Sequence, residues 1–386
     1  MKRSRRVAAA AVVLSIAGLM LWRSKEGALA APGENVQQQS QGSRPRVDIV
    51  FALDTTSSMT GLIDGAKAKI WEIARHAQEG QPAPEVRIGL VAYRDRGDEY
   101  VTKVLDLTGD LDKVYATLMG FQANGGGDGP EHVLKGLNDA VNEVHWSNDA
   151  RAVKLVYLVG DAPPHEDYDD GLTMEGVLKD ARQRGVRISA IRCGTDNTTL
   201  TKWSMIAQRT DGEVSSIAQG GGVQAAVTTP YDAELARLNA ELAKTEIHYG
   251  SAAEQREAAD VVASNMAAPA EAQAARAGFY AARAKGGSPA APMKKDLTAA
   301  APAALAAVAA SDLPANMQAM STGERAEFVA KQQAQRELVL KEIAVASTKR
   351  DEALKSAPKP SASPAGFDAK VMDSLKKAGA DKGIAY

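Results

Sequence analysis

The sequence predicts an α/β protein: a doubly wound, mostly parallel six-stranded sheet with one antiparallel edge strand, followed by an Ala-rich α-helical C-terminal region. Three observations lead there. Short β-branched runs recur at 47–53, 86–93, 101–107, 153–159, 186–193 and, weakly, 213–217. Segments of helical period lie between most of them, and strands alternating with helices imply crossover connections and parallel pairing. After about Val223 the composition turns to Ala, Glu, Lys and Gln with few β-branched residues, which favours helix over strand.

At the N-terminus, Lys2, Arg3, Arg5 and Arg6 precede an uncharged run over 7–22, and Arg23, Lys25 and "ALAAP" follow. This is the composition of an export signal, with Ala28 and Ala30 as the small residues before a cut. The apolar run is short of the roughly 20 residues of a full bilayer span. Residues 1–31 therefore read as a signal peptide or as an N-terminal membrane anchor that tethers the chain through residues 7–22. The expected location is the periplasm or cell envelope. Residues 32–46 are polar and read as a linker.

The sheet domain is placed at 47–220. Ile63, Ala66, Ile70, Ile73 and Ala77 fall three and four apart, as do Leu134, Leu137, Val141 and Val144, so each set lines one helix face. One link differs from the rest. "RDRGDE" between Tyr93 and Tyr100 is too short for a crossover, so the second and third strands form a hairpin and the third is the antiparallel edge.

A helical region is expected over 221–355. In "PYDAELARLNAELAKTEI", Pro230 stands near the start and Leu235, Leu238 and Leu242 form a seam, which favours a helix. Residues 251–285 look helical, interrupted by Pro269. A low-complexity break near 286–320 reads as loosely ordered. Ser321 and Glu324 then form a capping-box pattern before a helix reaching about Leu354. Residues 356–386 read as a linker and a short last helix from Phe367.

With 386 residues, 45% of them hydrophobic, the chain can bury one sizeable core. Its net charge of −2 and the lack of a basic stripe with interleaved aromatics argue against a nucleic-acid partner. The single cysteine, Cys193, has no internal disulfide partner; in the apolar run "VRISAIRCG" it reads as a buried thiol.

In an open α/β sheet, ligands sit beyond the carboxyl ends of the strands. There the first strand runs into Asp54, Thr55, Thr56, Ser57 and Ser58, the fourth ends at Asp161, and Asp128 lies in the glycine-rich stretch "NGGGDGPEH". Asp54, Thr56 and Ser58 alternate, so in an extended loop they face one side, with Thr55 and Ser57 pointing away. A hard divalent cation takes about six oxygens and usually keeps several waters among them, and this spacing suits a chelating loop. Taken alone, the first loop fits equally a helix cap at Ser57 or Ser58 and a local turn at Asp54.

"DTTSSM", read as Asp-x-Thr-x-Ser, resembles the first loop of the metal-ion-dependent adhesion site of von Willebrand factor type A domains. The resemblance covers about residues 47–220, and "AYRDRGD" and "GGGDGPE" are similar to a bacterial exported and matrix-protein branch. It implies a Rossmann-like domain that binds Mg²⁺, or Mn²⁺ or Ca²⁺, through Asp54, Thr56, Ser58, Asp128 and Asp161 and often recognises protein partners. Where many such sites have threonine, this chain offers Asp128. If Asp128 binds directly, three carboxylates outweigh the ion, and an external carboxylate is attracted less strongly. Asp128, Pro130 and Glu131 also spell an N-cap, a first-turn proline and a capping-box acid.

His165 follows Asp161 and could line the site. Asp167, Asp169 and Asp170 suit a second cation or, more simply, a solvated loop and helix cap. Arg94 and Asp95 are expected to support the site, and Arg96-Gly97-Asp98 is treated as a hairpin sequence. The favoured function is an exported metal-dependent binding module for a protein or other ligand. The alternative is a structural or assembly scaffold of the cell envelope acting through its C-terminal helices, with the metal only structural. An enzyme is not expected, because no P-loop, Gly-x-Ser-x-Gly or His-Glu-x-x-His motif is present, and only His165 or Glu131 offers a general base.

Overall fold

The computed structural model describes residues 44–127, 129–219, 228–286, 295–299, 302–356 and 366–386. The expected signal or anchor over 1–31 lies outside these residues. The first strand, β1 (Arg46–Asp54), is buried from Val47 onward, as its run of aliphatic residues requires of a strand covered on both faces. It pairs in parallel with β2 (Glu85–Tyr93) and with β4 (Val153–Gly160). The sheet continues through β5 (Arg187–Cys193) and β6 (Val214–Ile217), both parallel. The edge strand β3 (Thr102–Thr108) pairs antiparallel with β2, and Gly97, at φ +94°, turns the hairpin. Strand order is β3-β2-β1-β4-β5-β6. The sheet is the predicted one, and its order reverses between β1 and β4.

Two cores sandwich it. Val47, Ile49, Phe51 and Leu53 face α1 (Thr60–Gln78) and α2 (Leu111–Met119). The alternate residues Val50 and Ala52 face α3 (Val133–Asn142), α4 (Met174–Arg184) and α5 (Asn197–Arg209). All five residues of the predicted α1 face are buried. The free thiol of Cys193 is buried too.

The helices that follow pack mainly on the first face. They are α6 (Asp232–Ala243), α7 (Ala252–Met266), α8 (Ala270–Lys285), α9 (Pro302–Ala307), α10 (Ala315–Gln318), α11 (Thr322–Ser356) and α12 (Phe367–Ala380). Leu235, Leu238 and Leu242 of α6 and the apolar face of α8 join the core of α1. Residues Arg44–Tyr386 form one compact unit. The capping box of α11 forms as predicted, Ser321 N donating to Glu324 Oε2 at 2.8 Å and Glu324 N to Ser321 Oγ at 3.3 Å.

α12 closes the first face over β4 and β5. Phe367 lies 5.8 Å from Phe51 between ring centroids, Tyr157 Oη donates to the Val371 carbonyl at 2.9 Å, and Ser189 and Ser374 hydroxyls meet at 3.0 Å. Beyond it, Ala385 and Gln81 exchange backbone hydrogen bonds of 2.8 and 2.9 Å. The low-complexity stretch corrects the expectation of loose order where it is described. Leu297, Leu313 and Met317 are buried with Ile247 and Val329 in a third cluster, because the few large apolar residues there find a common pocket.

A buried polar network joins α2 to the later helices. Arg276 donates to Asp112 Oδ1 and Oδ2 at 2.5 and 2.8 Å, to Asn239 Oδ1 at 2.6 Å and to Glu246 Oε1 at 3.2 Å. Tyr280 Oη adds a bond to Asp112 at 2.9 Å. Two carboxylates thus share one guanidinium, and His248 Nε2 stands 3.0 Å from the other Glu246 oxygen.

Candidate metal centre

The β1 end is organised by its own side chains. Thr56 N and Oγ1 both donate to Asp54 Oδ1, at 2.9 and 2.6 Å, and Thr56 Oγ1 lies 3.3 Å from Ser58 Oγ. Asp54, Thr56 and Ser58 thus share one side, as predicted from their alternation. Thr55 Oγ1 turns the other way, to the Tyr93 carbonyl at 3.1 Å and the Tyr100 hydroxyl at 2.7 Å. Ser57 Oγ donates to the Gly125 carbonyl at 2.8 Å. Neither serine caps a helix: the chain enters a short 3₁₀ turn at Ser57–Met59 with no side-chain cap bond. The serine cap of the alternative reading is therefore absent, while its local turn at Asp54 does form through Thr56 N.

Three loops are laced together. Asn124 N donates to the Thr55 carbonyl at 3.1 Å, Glu131 N to the Pro163 carbonyl and His165 N to the Glu131 carbonyl, both at 3.0 Å. Buried Arg94 holds the lacing from below, with Nε on the Thr55 carbonyl at 3.1 Å and Nη2 on that of Gln122 at 2.7 Å. Asp98 receives Gly126 N at 3.1 Å. Gly126 has φ +78°, and a Cβ there would stand 3.0 Å from Thr56 Cβ and 3.4 Å from Glu131 Oε1, so only glycine lets the second loop approach the first.

Asp161, past β4, is partly exposed, accepts a hydrogen bond from Gln219 Nε2 and acts on Asp54 as a neighbouring charge. Asp128 lies outside the described residues. The capping set built on Pro130 and Glu131 does not form: α3 begins at Val133, with His132 at its cap position and no side-chain cap bond. The pairing of Glu131 with Pro164 draws it out of any first helical turn. Glu131 instead points toward the centre, 3% exposed, a placement the motif reading missed.

The electrostatics are unbalanced. Asp54 is 0% exposed, yet its Oδ2 has no hydrogen-bond partner, and Glu131 Oε2 has none either among the described residues. Burial pushes Asp54 from 3.8 to about 7 against the Thr56 hydrogen bonds; the Asp161 charge adds to the rise and its backbone N–H opposes it. Burial pushes Glu131 from 4.5 to about 9, helped by Asp54, Asp95, Asp98 and Asp161. A buried carboxylate oxygen left unpaired is costly. A divalent cation is the group that would satisfy it.

The donor set fits a hard cation: carboxylates of Asp54 and Asp161 with the hydroxyls of Thr56 and Ser58. Among the described residues, no group of three or more His, Cys, Asp or Glu side chains is gathered as a cage, so hydroxyls are needed to complete the set. His165 is close: its Nδ1 is 2.9 Å from Asp167 and its ring stacks on Tyr168 at 4.2 Å, while its buried Nε2, 3.5 Å from Asp95, has no hydrogen-bond partner among the described residues. Tyr168 Oη donates to both Asp95 oxygens at 2.7 Å, which leaves Asp95 a supporting part. Asp170 pairs with Arg96 at 2.9 Å and His132 at 3.1 Å. Asp167 and Asp170 thus brace the rim, and α4 is capped by Thr173 instead.

The Asp-x-Thr-x-Ser loop thus stands beside the reversal of strand order, where open α/β sheets place their ligands. Residues 48–229 match the family model of the von Willebrand factor A domain, and that segment is a domain of this type; α6 to α12 lie beyond the match. Similar solved structures include proximal thread matrix protein 1 from the mussel byssus, at 20% identity and TM-score 0.35 over 45% of this chain and 42% of that one. A form of that protein described as having a zinc-occupied MIDAS motif gives 19% identity and TM-score 0.36 over the same shares. The SpRpn10 VWA domain gives 16% identity and TM-score 0.33, over 46% of this chain and 89% of that one. The chain spans less than half the length of the mussel protein. No curated protein matches it.

Proposed function

We propose that this protein is a metal-dependent binding module. Asp54, Thr56, Ser58 and Asp161, with Asp128 by its place in the sequence, hold Mg²⁺, or Mn²⁺ or Ca²⁺, and the bound ion presents an open coordination position to a protein or other ligand. The observation that carries this reading is the fully buried Asp54 carboxylate whose Oδ2 has no partner, at the reversal of strand order and beside two hydroxyls. When bound, the ion supplies positive charge to an edge that has a surplus of carboxylates. Thr56 orients Asp54, Arg94 fixes the first loop against the second, and Glu131 adds a further carboxylate to the pocket wall.

That surplus weakens capture of an acidic side chain, so a neutral or hydroxyl-bearing ligand suits the ion better. The N-terminal composition supports export to the periplasm or cell envelope, with or without a retained anchor. Among the described residues, no helix is long and apolar enough to cross a membrane. We read the protein as a binder without catalysis of its own. A scaffold role for the C-terminal helices is the second reading, favoured by Leu338 and Val345, which stand 56% and 58% exposed on α11. Calorimetric titration of Mg²⁺ into the full chain tests the first reading: saturable binding is expected, and Asp54→Ala with Asp161→Ala removes it. Equal binding by that double variant would refute the proposal.

A further inference from the structure

A cavity of about 370 Å³ lies where the edge strand β3 meets the helical region. Ligand pockets run from roughly 300 to 1,000 Å³ and are mostly apolar with a few convergent polar groups. Leu105 and Leu107 of β3 and Ala258 and Val261 of α7 give it apolar walls. It opens beside Thr108, at the end of β3 away from Thr102, which pairs with Tyr93 near the metal centre.

Its charges are unequal. Four carboxylates line it against two lysines, and both lysines are already spent on rim pairs, Lys113 with Glu257 and Lys295 with Glu254, each at 2.7 Å. Asp110 is left over. Its Oδ1 caps α2 by accepting Lys113 N at 3.0 Å, and among the described residues no ion pair reaches it. Burial lifts its carboxyl from 3.8 to about 6, with Asp112 and Glu246 adding to the rise and Lys113 opposing it through its backbone N–H and its charge. His248, also on the wall, has both ring nitrogens buried without a hydrogen-bond partner among the described residues, although Nε2 stands 3.0 Å from Glu246 Oε2.

We propose that this cavity is a second binding site, for a small organic amine. The ammonium head pairs with Asp110, and a short aliphatic or aromatic body lies between β3 and α7. An anionic ligand of the same size would face the surplus carboxylates. The site is independent of the metal centre.

The test is a titration of the full chain with hexylammonium chloride and, separately, sodium hexanoate, followed by amide chemical shifts. Hexylammonium should move the amides of β3 and α7 and hexanoate should not. Asp110→Asn should weaken hexylammonium by about tenfold or more, as expected for loss of a charge-assisted hydrogen bond. Asparagine caps a helix as well as aspartate does, so a melting temperature no lower than that of the wild type shows that α2 is intact. Ala258→Leu, which fills the cavity from α7, should abolish binding, and Asp54→Ala should leave it unaltered. No shift with hexylammonium, equal binding of hexanoate, or wild-type affinity in Asp110→Asn would each overturn the assignment.

Discussion

Buried charge occurs in two places in this molecule, and they are arranged differently. Between α2, α6 and α8, the carboxylates of Asp112 and Glu246 enclose Arg276, and Asn239 and Tyr280 take up further hydrogen bonds. At the ends of β1 and β4, Asp54 and Glu131 are as deeply buried, but the nearby cation, Arg94, is turned to backbone carbonyls and to Glu99. The first arrangement finds its counter-groups within the chain, Arg276 between Asp112 and Glu246 and the His248 imidazole 3.0 Å from Glu246, and is architecture. The second is complete only with a positive ion from outside, and the difference separates a structural network from a site more cleanly than residue type does.

The largest effect should come from breaking the complete network. Arg276→Met leaves Asp112 buried without a cation and Glu246 with only His248 beside it, and should cost about 3–5 kcal/mol in urea unfolding. At the incomplete one, the ion itself should stabilise: Mg²⁺ at a hundredfold its dissociation constant should add about 2.7 kcal/mol, seen as a higher melting temperature, and should add nothing to Asp54→Asn. In metal-free protein, Asp54→Asn removes an unmatched carboxylate and should raise stability by about 1–3 kcal/mol at pH 8.

The same carboxylate sets a pH dependence. The folded chain keeps the Asp54 proton up to about pH 7, while its ordinary value is 3.8. The folded state therefore holds more protons in that window, and metal-free stability falls as pH rises through it; the slope should flatten in Asp54→Asn. Smallest of all, Leu338→Ser on the exposed face of α11 should change stability by no more than about 0.5 kcal/mol.

Much of this was legible in the residues. The β-branched runs gave all six strands, and the six residues between Tyr93 and Tyr100 were enough to make β3 the antiparallel edge. The first loop was readable because alternation fixes which side chains share a side. Glu131 was misread because Pro130-Glu131 imitates a first helical turn, while the actual backbone is held by Pro163 and His165, more than thirty residues away in sequence. Periodicity carries no such information. For the same reason, the pattern of α12 announced a helix but not the strands it covers, and Leu297 and Leu313 gave no sign within an alanine-rich stretch that they would share a cluster with Ile247.

The docking of α12 bears on how the protein is made. Phe51 is among the first core residues to leave the ribosome, and the ring that covers it, Phe367, is synthesised more than three hundred residues later. Until then the face of β4 and β5 around Tyr157 and Ser189 stays open, although the strands themselves can already pair. Translation will therefore yield a paired but half-covered sheet first, and a chaperone that shields this face need release it only when Phe367–Ala380 has been made.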